Sequence, residues 1–172
     1  MTAKAATFEL DLRTHYSAEL RITNYDRAVN RNESNGDSHM KITRSSVDTR
    51  KGPAEWFTGD VFIDVVAELE ASSRVSGSNV HFAPGARTAW HTHPHGQTIF
   101  VLEGIGRCQR KGGPVEEIRP GDRVFFEPGE DHWHGAAPNR FMLHLAIAQA
   151  DDTGNVVVWG DHVTDAEYDA GK

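Results

Sequence analysis

The sequence predicts an all-β protein folded as an antiparallel sandwich or barrel. Short apolar segments rich in β-branched residues recur from about residue 60 onward, at intervals of roughly 8–12 residues. Turns that contain Gly and Pro separate these segments, and no stretch keeps a helical period over several turns. A chain of 172 residues suits one such domain with a sizeable core.

The predicted strands follow one another along the chain, and a turn separates most of them. They cover residues 60–67, 79–82, 98–102, 106–111, 115–118, 124–126, 141–148 and 155–159. The one short helix that we predict lies in the tail, over residues 164–168, because Thr164 is a residue type that caps helix N-termini. The remaining positions are turns or irregular segments.

The first 39 residues differ in character from the rest of the chain. Residues 7–22 alternate twice between apolar and polar side chains and predict two short strands, and residues 23–39 are polar and predict a linker. The run Ser38-His39-Met40 resembles a junction between an expression leader and a native start. We therefore interpret residues 1–39 as an appended N-terminal extension and residues 40–172 as the domain; the alternative is a natural extension that pairs with a sheet edge.

Charge and composition exclude several classes of function. The net charge is −7 and the basic residues are scattered, which argues against a nucleic-acid partner. No apolar run approaches the roughly 20 residues of a membrane helix. The first residues lack the apolar core of a secretion signal, and the single cysteine, Cys108, excludes an internal disulfide. These features predict a cytoplasmic protein.

Four side chains have the types and spacing of a metal site. In the triplet His91-Thr92-His93, alternate residues of a strand point the same way and bring two imidazoles together. Gln97 follows after a turn and offers an amide oxygen, and His132 offers a third imidazole from another hairpin. Three nitrogens and one oxygen leave two positions of an octahedral ion open, as a catalytic site requires.

Two strings of the sequence share their residue types and spacing with one family. The first, over residues 85–104, reads G-x5-H-x-H-x3-Q-x6-G, and the second, over residues 121–132, ends in P-G-x-x-H. They resemble the paired motifs of the cupins, although Gln97 stands where Glu is usual and Ala136 stands where Asn is usual. The resemblance implies a single-domain jelly-roll β-barrel that holds one divalent metal ion.

Longer strings narrow the resemblance. The segments KGPAEWFTG, PGARTAWHTHPHGQT and PGEDHWHGAAP look like those of the small bacterial manganese cupins that act as hydroxynitrile lyases. This resemblance implies Mn(II) at His91, His93, Gln97 and His132, a catalytic base at His144, and a homodimer or homotetramer. On residue chemistry alone, Fe, Co, Ni and Zn also accept this ligand set.

The neutral Gln97 bears on the reaction class. It leaves the ion and its ligands with a net charge of about +2, where Glu would leave about +1. A more positive site stabilises a bound oxygen anion better, which favours Lewis-acid chemistry over oxygen activation.

His144 has two interpretations on the residues alone. It lies in the apolar segment 141–148, so it is either a hydrogen-bonded core histidine or a catalytic base, and the resemblance favours the base. His134 shares a face with His132 by alternation, so it either supports that ligand or competes for the ion. We favour the supporting role.

The substrate pocket is predicted to be small and apolar. Ser78, Val80 and Phe82 share one face of their strand, and Ala148 lies in register with His144. On the neighbouring segment, either Phe100 and Leu102 or Ile99 and Val101 face inward. Such walls suit an aldehyde or its cyanohydrin.

Three hypotheses about function follow. The leading one is a lyase that interconverts a cyanohydrin with an aldehyde and hydrogen cyanide. The second is a metal-dependent dioxygenase or related oxidoreductase, and the third is a cupin that binds a small molecule without turnover.

Overall fold

The computed structural model describes residues 40, 42–44 and 48–170, and the account below concerns the unit Ile42–Lys172. The two strands predicted over residues 7–22 and the linker over residues 23–39 lie outside the described residues. Within the described part of the chain, no helix has the length and apolar character needed to span a membrane.

Short antiparallel strands are the main regular elements of the described unit, as the sequence predicts. They are β1 Arg50–Lys51, β2 Phe57–Thr58, β3 Val61–Ala67, β4 Val75–Phe82, β5 Arg87–Thr88, β6 His91–Thr92, β7 Gln97–Gly104, β8 Gly106–Arg110, β9 Glu116–Ile118, β10 Arg123–Phe126, β11 His132–Ala136, β12 Met142–Gln149 and β13 Val158–Trp159. One short helix, α1, spans Asp165–Asp169. The predicted all-β antiparallel fold is confirmed.

The strands form two sheets. In the first, the order is β1-β3-β4-β12-β7-β10, so that the long strands β4, β12 and β7 lie at its centre. In the second, the order is β13-β6-β11-β5-β2, and β8 and β9 extend it from β11. Every strand pair is antiparallel. The two strands that carry His91 and His132 are neighbours in the second sheet.

The hydrophobic core draws side chains from both sheets. Phe82, Ile99, Val101 and Met142 come from the first sheet, and they pack in one cluster with residues of the second such as Ala136. Burying these side chains stabilises the fold by about 1.5–3 kcal/mol each. Ile99 and Val101 are therefore the inward-facing pair of β7, while Phe100 and Leu102 face outward.

Several boundaries differ from the sequence prediction. The strand predicted over residues 155–159 is reduced to Val158–Trp159, and β4 begins at Val75, four residues before the predicted start. The predicted cap is present: Thr164 accepts a hydrogen bond from the backbone N–H of Glu167, whose carboxylate accepts one from the N–H of Thr164. This reciprocal pair is a capping box and fixes the start of α1.

Gly104, at the end of β7, occupies a position that no other residue type fits. Its φ is +78°, a left-handed conformation that favours glycine, and a Cβ atom there would overlap the carbonyl oxygen of Phe141. The end of β7 can therefore approach Phe141, just before β12, this closely only if residue 104 lacks a side chain.

We expect Gly104→Ala to destabilise the fold far more than Gly112→Ala. Both glycines have a φ close to +78°, but a Cβ at Gly112 would meet no atom within 4 Å. Gly112→Ala should cost about 1 kcal/mol of unfolding free energy for backbone strain alone, and Gly104→Ala at least about 2 kcal/mol more for the clash. Urea denaturation of both variants measures the difference; equal losses would contradict the argument.

Candidate metal centre

Three buried histidines converge between the sheets. His91 begins β6, His93 follows it, and His132 begins β11 directly opposite His91 in the β6–β11 ladder. One ring nitrogen from each lies within 4.8 Å of those of the other two, and the three side chains are buried. The strand pairing thus brings together residues that are some forty positions apart.

Each of the three rings is fixed by a backbone carbonyl on its outer side. The Nδ1 atoms of His91, His93 and His132 lie 3.0, 2.7 and 2.8 Å from the carbonyl oxygens of Ala89, Val156 and Glu130 respectively. A carbonyl oxygen can only accept, so each Nδ1 carries the proton and donates it. In a neutral ring the Nε2 atom then holds a free lone pair, which is the form that binds metals.

Gln97 completes the cluster from the other sheet. It begins β7, and its Oε1 atom lies 3.1 Å from Nε2 of His132. Because Nδ1 of His132 is the protonated nitrogen, its Nε2 atom holds a lone pair, which can accept from the amide N–H of Gln97 or, beside the amide oxygen, share a cation with it. Neighbouring donors of an octahedral ion, each about 2.1–2.2 Å away, are about 3 Å apart. The contact therefore fits two ligands of one metal ion.

Burial keeps the three rings neutral. Loss of hydration lowers the pKa of His91 well below its ordinary value, and the positive charges that His132 and His93 would carry lower it further. Burial likewise lowers the pKa of His93 and lowers that of His132 to about 3. Nε2 of His93 has no hydrogen-bond partner among the described residues. A buried lone pair without a partner is costly, and a bound cation would remove that cost.

The donor set suits a first-row divalent metal ion. Imidazoles bind Mn, Fe, Co, Ni and Zn, and a neutral amide oxygen completes the set without adding charge. Four protein donors leave up to two positions of an octahedral ion for substrate or water. The residues present therefore fit the metal that the sequence motifs imply.

A cavity of about 150 Å³ lies beside the histidine cluster. Its polar side holds His91, His93, Gln97 and His134, and its other walls are mostly apolar. Those walls are formed by Phe57, Ile63, Ser76, Ser78, Val80, Thr88, Ala146, Ala148, Val156 and Trp159. Small side chains on β4 and β12 leave the room that the cavity occupies.

The four predicted pocket residues do not all reach the cavity. Ser78, Val80 and Ala148 lie in its wall, whereas Phe82 lies behind it, buried against the rings of His134 and His144. Phe82 shares the inward face of β4, as its alternation predicts, but it pairs with Met142 at the far end of the sheet.

His144 also lies behind the cavity wall. It is fully buried on β12, and its Nε2 atom lies 3.2 Å from Nδ1 of His134, which does line the cavity. Burial lowers the pKa of His144 to about 3 and that of His134 well below its ordinary value. Both rings are neutral at neutral pH, and His134 lies between His144 and the cavity.

The C-terminal segment contributes to the site in ways that the sequence analysis missed. The carbonyl of Val156 orients His93, and the indole of Trp159 packs over His91 with the ring centroids 4.8 Å apart. Phe126 stacks on His132 at 3.7 Å between centroids. The orienting carbonyl belongs to the backbone and has no signature in residue type. Trp159 is the last residue of the strand predicted over residues 155–159, and its residue type alone does not mark it as part of the site.

Comparison with known proteins relates the sequence and the fold of this chain to the cupins. The family model described as "Cupin domain" matches residues 78–145. The chain is 56% identical over 130 residues to an (R)-mandelonitrile lyase of Granulicella tundricola, covering 75% of this chain and 98% of that protein. A crystal structure of a cupin-like protein from Thermotoga maritima is similar at 37% identity with a TM-score of 0.65, over 69% of this chain and 89% of that one. The polyketide cyclase RemF from Streptomyces resistomycificus shares the fold at 19% identity and a TM-score of 0.59, covering 76% of this chain and 91% of its own.

We expect replacement of His91, His93 or His132 by Ala to abolish metal retention, because each ring supplies one of the converging lone pairs. His95→Ala is the matched control, since His95 lies exposed in the turn between His93 and Gln97. Elemental analysis after gel filtration measures bound metal, and circular dichroism checks the fold. Full occupancy in any of the three variants would remove that residue from the ligand set.

We expect the stability of the metal-free protein to fall as the pH drops from about 6.5 toward 3. His144 has a folded-state pKa of about 3, while an unfolded histidine titrates near 6.5. Between those values the unfolded chain binds more protons, so acid favours unfolding. Relative to the parent, His144→Gln should reduce the slope of unfolding free energy against pH by about 1.4 kcal/mol per unit. Identical slopes in urea titrations would show that His144 is not buried neutral.

Proposed function

The chain belongs to the cupin family. We propose that it is a metal-dependent lyase that interconverts a cyanohydrin with an aldehyde and hydrogen cyanide. The observation that carries the proposed metal is the contact of 3.1 Å between Nε2 of His132 and Oε1 of Gln97, which suits two neighbouring ligands of one cation. The similarity to a mandelonitrile lyase over nearly all of that protein's length supports this reaction.

The metal would be held by His91, His93, Gln97 and His132, and we propose Mn(II). When bound, such an ion supplies Lewis acidity toward the hydroxyl oxygen of a cyanohydrin. The protein's own part is to keep three rings neutral by burial and to fix each by a backbone carbonyl. Neutral Gln97 adds no negative charge to offset that of the ion.

Proton transfer is assigned to His144 acting through His134. His134 lines the cavity, and its Nε2 atom is buried without a hydrogen-bond partner among the described residues, so we propose it as the atom that exchanges a proton with the substrate. Its Nδ1 atom lies 3.2 Å from Nε2 of His144. A proton taken up at Nε2 of His134 from the hydroxyl can be matched by one passed from Nδ1 to His144. As the hydroxyl proton leaves, the carbon–carbon bond to cyanide breaks and its electron pair departs with cyanide, while the oxygen becomes the carbonyl of the aldehyde. The reverse proton sequence then returns the proton to cyanide as hydrogen cyanide.

The rest of the cavity is suited to an aromatic or aliphatic group. The rings of Phe57 and Trp159 lie edge to face with centroids 5.7 Å apart, and both line the cavity. Small residues on the facing strands, such as Ala146 and Ala148, leave space between those rings and the first sheet. Apolar walls of this kind bind the substituent of an aldehyde and exclude water from the reacting carbon.

We extend the proposal to the setting in which the enzyme works. Cys108 is buried, and burial together with the nearby Glu116 raises its thiol pKa to about 12, so the thiol is unreactive. One inert thiol agrees with a reducing cytoplasm. We further propose that the protein works as a homo-oligomer, a dimer or a tetramer.

The test is cleavage of mandelonitrile by the full chain loaded with Mn(II), followed by benzaldehyde absorbance in air and under nitrogen. We expect equal rates in both atmospheres, since no electron transfer to oxygen is involved. An oxygen-dependent reaction would assign the protein to the oxidoreductases instead. No turnover of mandelonitrile with any of Mn, Fe, Co, Ni or Zn would overturn the lyase proposal.

We expect His144→Gln to lower kcat for mandelonitrile by about 10²–10⁴-fold while KM and the metal content stay unchanged. A purely structural histidine would instead lower the melting temperature with little loss of kcat per bound metal. His95→Gln, in the exposed turn, is the matched control and should keep the parental rate. Nearly full activity of His144→Gln would remove His144 from the mechanism.

A further inference from the structure

The outer face of the first sheet carries a group of exposed apolar side chains. On the three strands β12, β7 and β10, alternation turns six large apolar residues away from the core. They are the exposed Ile147, Phe100, Leu102 and Phe125 and the half-buried Leu143 and Leu145, which together we call the outer face. Phe125 is 50% exposed and Phe100 39%. Water contact at so many neighbouring apolar groups is costly and marks a docking surface.

The strand register arranges this face in rows. The central row runs Asp64, Asn79, Leu145, Phe100 and Arg123, each residue directly opposite the next across β3, β4, β12, β7 and β10. Paired residues of a sheet share a face, so these five side chains form one line. The line begins at the carboxylate of Asp64, which also contacts Thr49 and His81 of its own copy, is apolar in the middle and ends at the guanidinium of Arg123.

The rows on either side have a related pattern. One runs Phe62, His81, Leu143 and Glu103, so that a histidine on β4 and a carboxylate on β7 flank the apolar residue of β12. The other runs Gly77, Ile147, Thr98 and Phe125, with an apolar residue again on β12.

We propose that the outer face binds the same face of a second copy of this chain, about a two-fold axis parallel to β12. A half-turn about this axis places each row of one copy over the same row of the other copy, with the order of the residues reversed. Leu143, Leu145 and Ile147 then meet their own equivalents along the axis, and Asp64 of one copy lies over Arg123 of the other. The interface is isologous, as in most homodimers.

Charge decides between this axis and its alternative. A two-fold axis along the central row, perpendicular to the strands, would bring Arg123 onto Arg123 and Asp64 onto Asp64. Like charges at an interface cost several kcal/mol, whereas the axis parallel to β12 makes two Asp64–Arg123 pairs. Complementary charge at both ends of an apolar row is what a self-binding surface requires.

The proposal does not depend on the reaction, because assembly is measured without substrate. In sedimentation analysis of the full chain, Leu145→Lys should halve the mass of the assembly, turning a dimer into a monomer or a tetramer into a dimer. Two lysines would face each other at the axis, so we expect at least about 100-fold weaker association. Val158→Lys is the matched control: Val158 is 63% exposed but lies on β13 of the second sheet, and its substitution should change nothing.

A charge exchange tests the axis. Arg123→Asp should weaken association at least about tenfold by facing Asp64, and Asp64→Lys should do the same by facing Arg123. The double variant should restore association to near the parental level, and circular dichroism identifies any variant that fails to fold. A monomeric parent, or Leu145→Lys with the parental mass, would overturn the proposed surface. Folded single variants that associate normally, or a double variant that is no better than the singles, would overturn the axis.

Discussion

The structure depends on one constraint, the burial of several ring nitrogens whose lone pairs point at one another. Such a cluster is unfavourable unless every ring is oriented and its inward charge is balanced. Backbone carbonyls at Ala89, Glu130 and Val156 supply the orientation from three separate segments. The barrel fold brings those three segments together around the histidines. Gln97 from the opposite sheet closes the cluster, so the two sheets meet at the proposed metal ligands as well as at the hydrophobic core.

The same constraint explains the buried pair behind the cavity. His134 and His144 contact each other across the two sheets, and Phe82 packs against both rings. Surrounded by apolar side chains, neither ring gains from carrying a charge at rest, and a proton can pass from Nδ1 of His134 to His144 only as another enters at Nε2 of His134. This arrangement is compatible with proton transfer at neutral pH, although each pKa lies far below its ordinary value. Hydrogen bonding, and not ionisation, is what holds the pair in position.

The sequence was most informative where residue type and spacing carry the chemistry. The three histidines and Gln97 could be grouped from the motifs alone, and the antiparallel fold from its alternation and turns. The inward face of β7 could not be chosen, because Ile99 and Val101 on one side and Phe100 and Leu102 on the other are equally apolar. Nor could Phe82 be separated from the pocket residues, since position along a sheet depends on the pairing with Met142. The carbonyl of Val156 carries no residue signature at all.

The position of Val156 has a consequence for how the protein matures. His93 is held in its metal-binding tautomer by a residue 63 positions further along the chain. Arg87, which is buried, donates to the carbonyl of Val163 and pairs with Asp165, so the last part of the chain is anchored beside the second sheet. During synthesis the histidines emerge from the ribosome well before these partners. The rings of His91 and His132 can meet their carbonyl partners at once, because Ala89 and Glu130 precede them in the chain, whereas the ring of His93 takes its final orientation only after the C-terminal segment has been released and has packed.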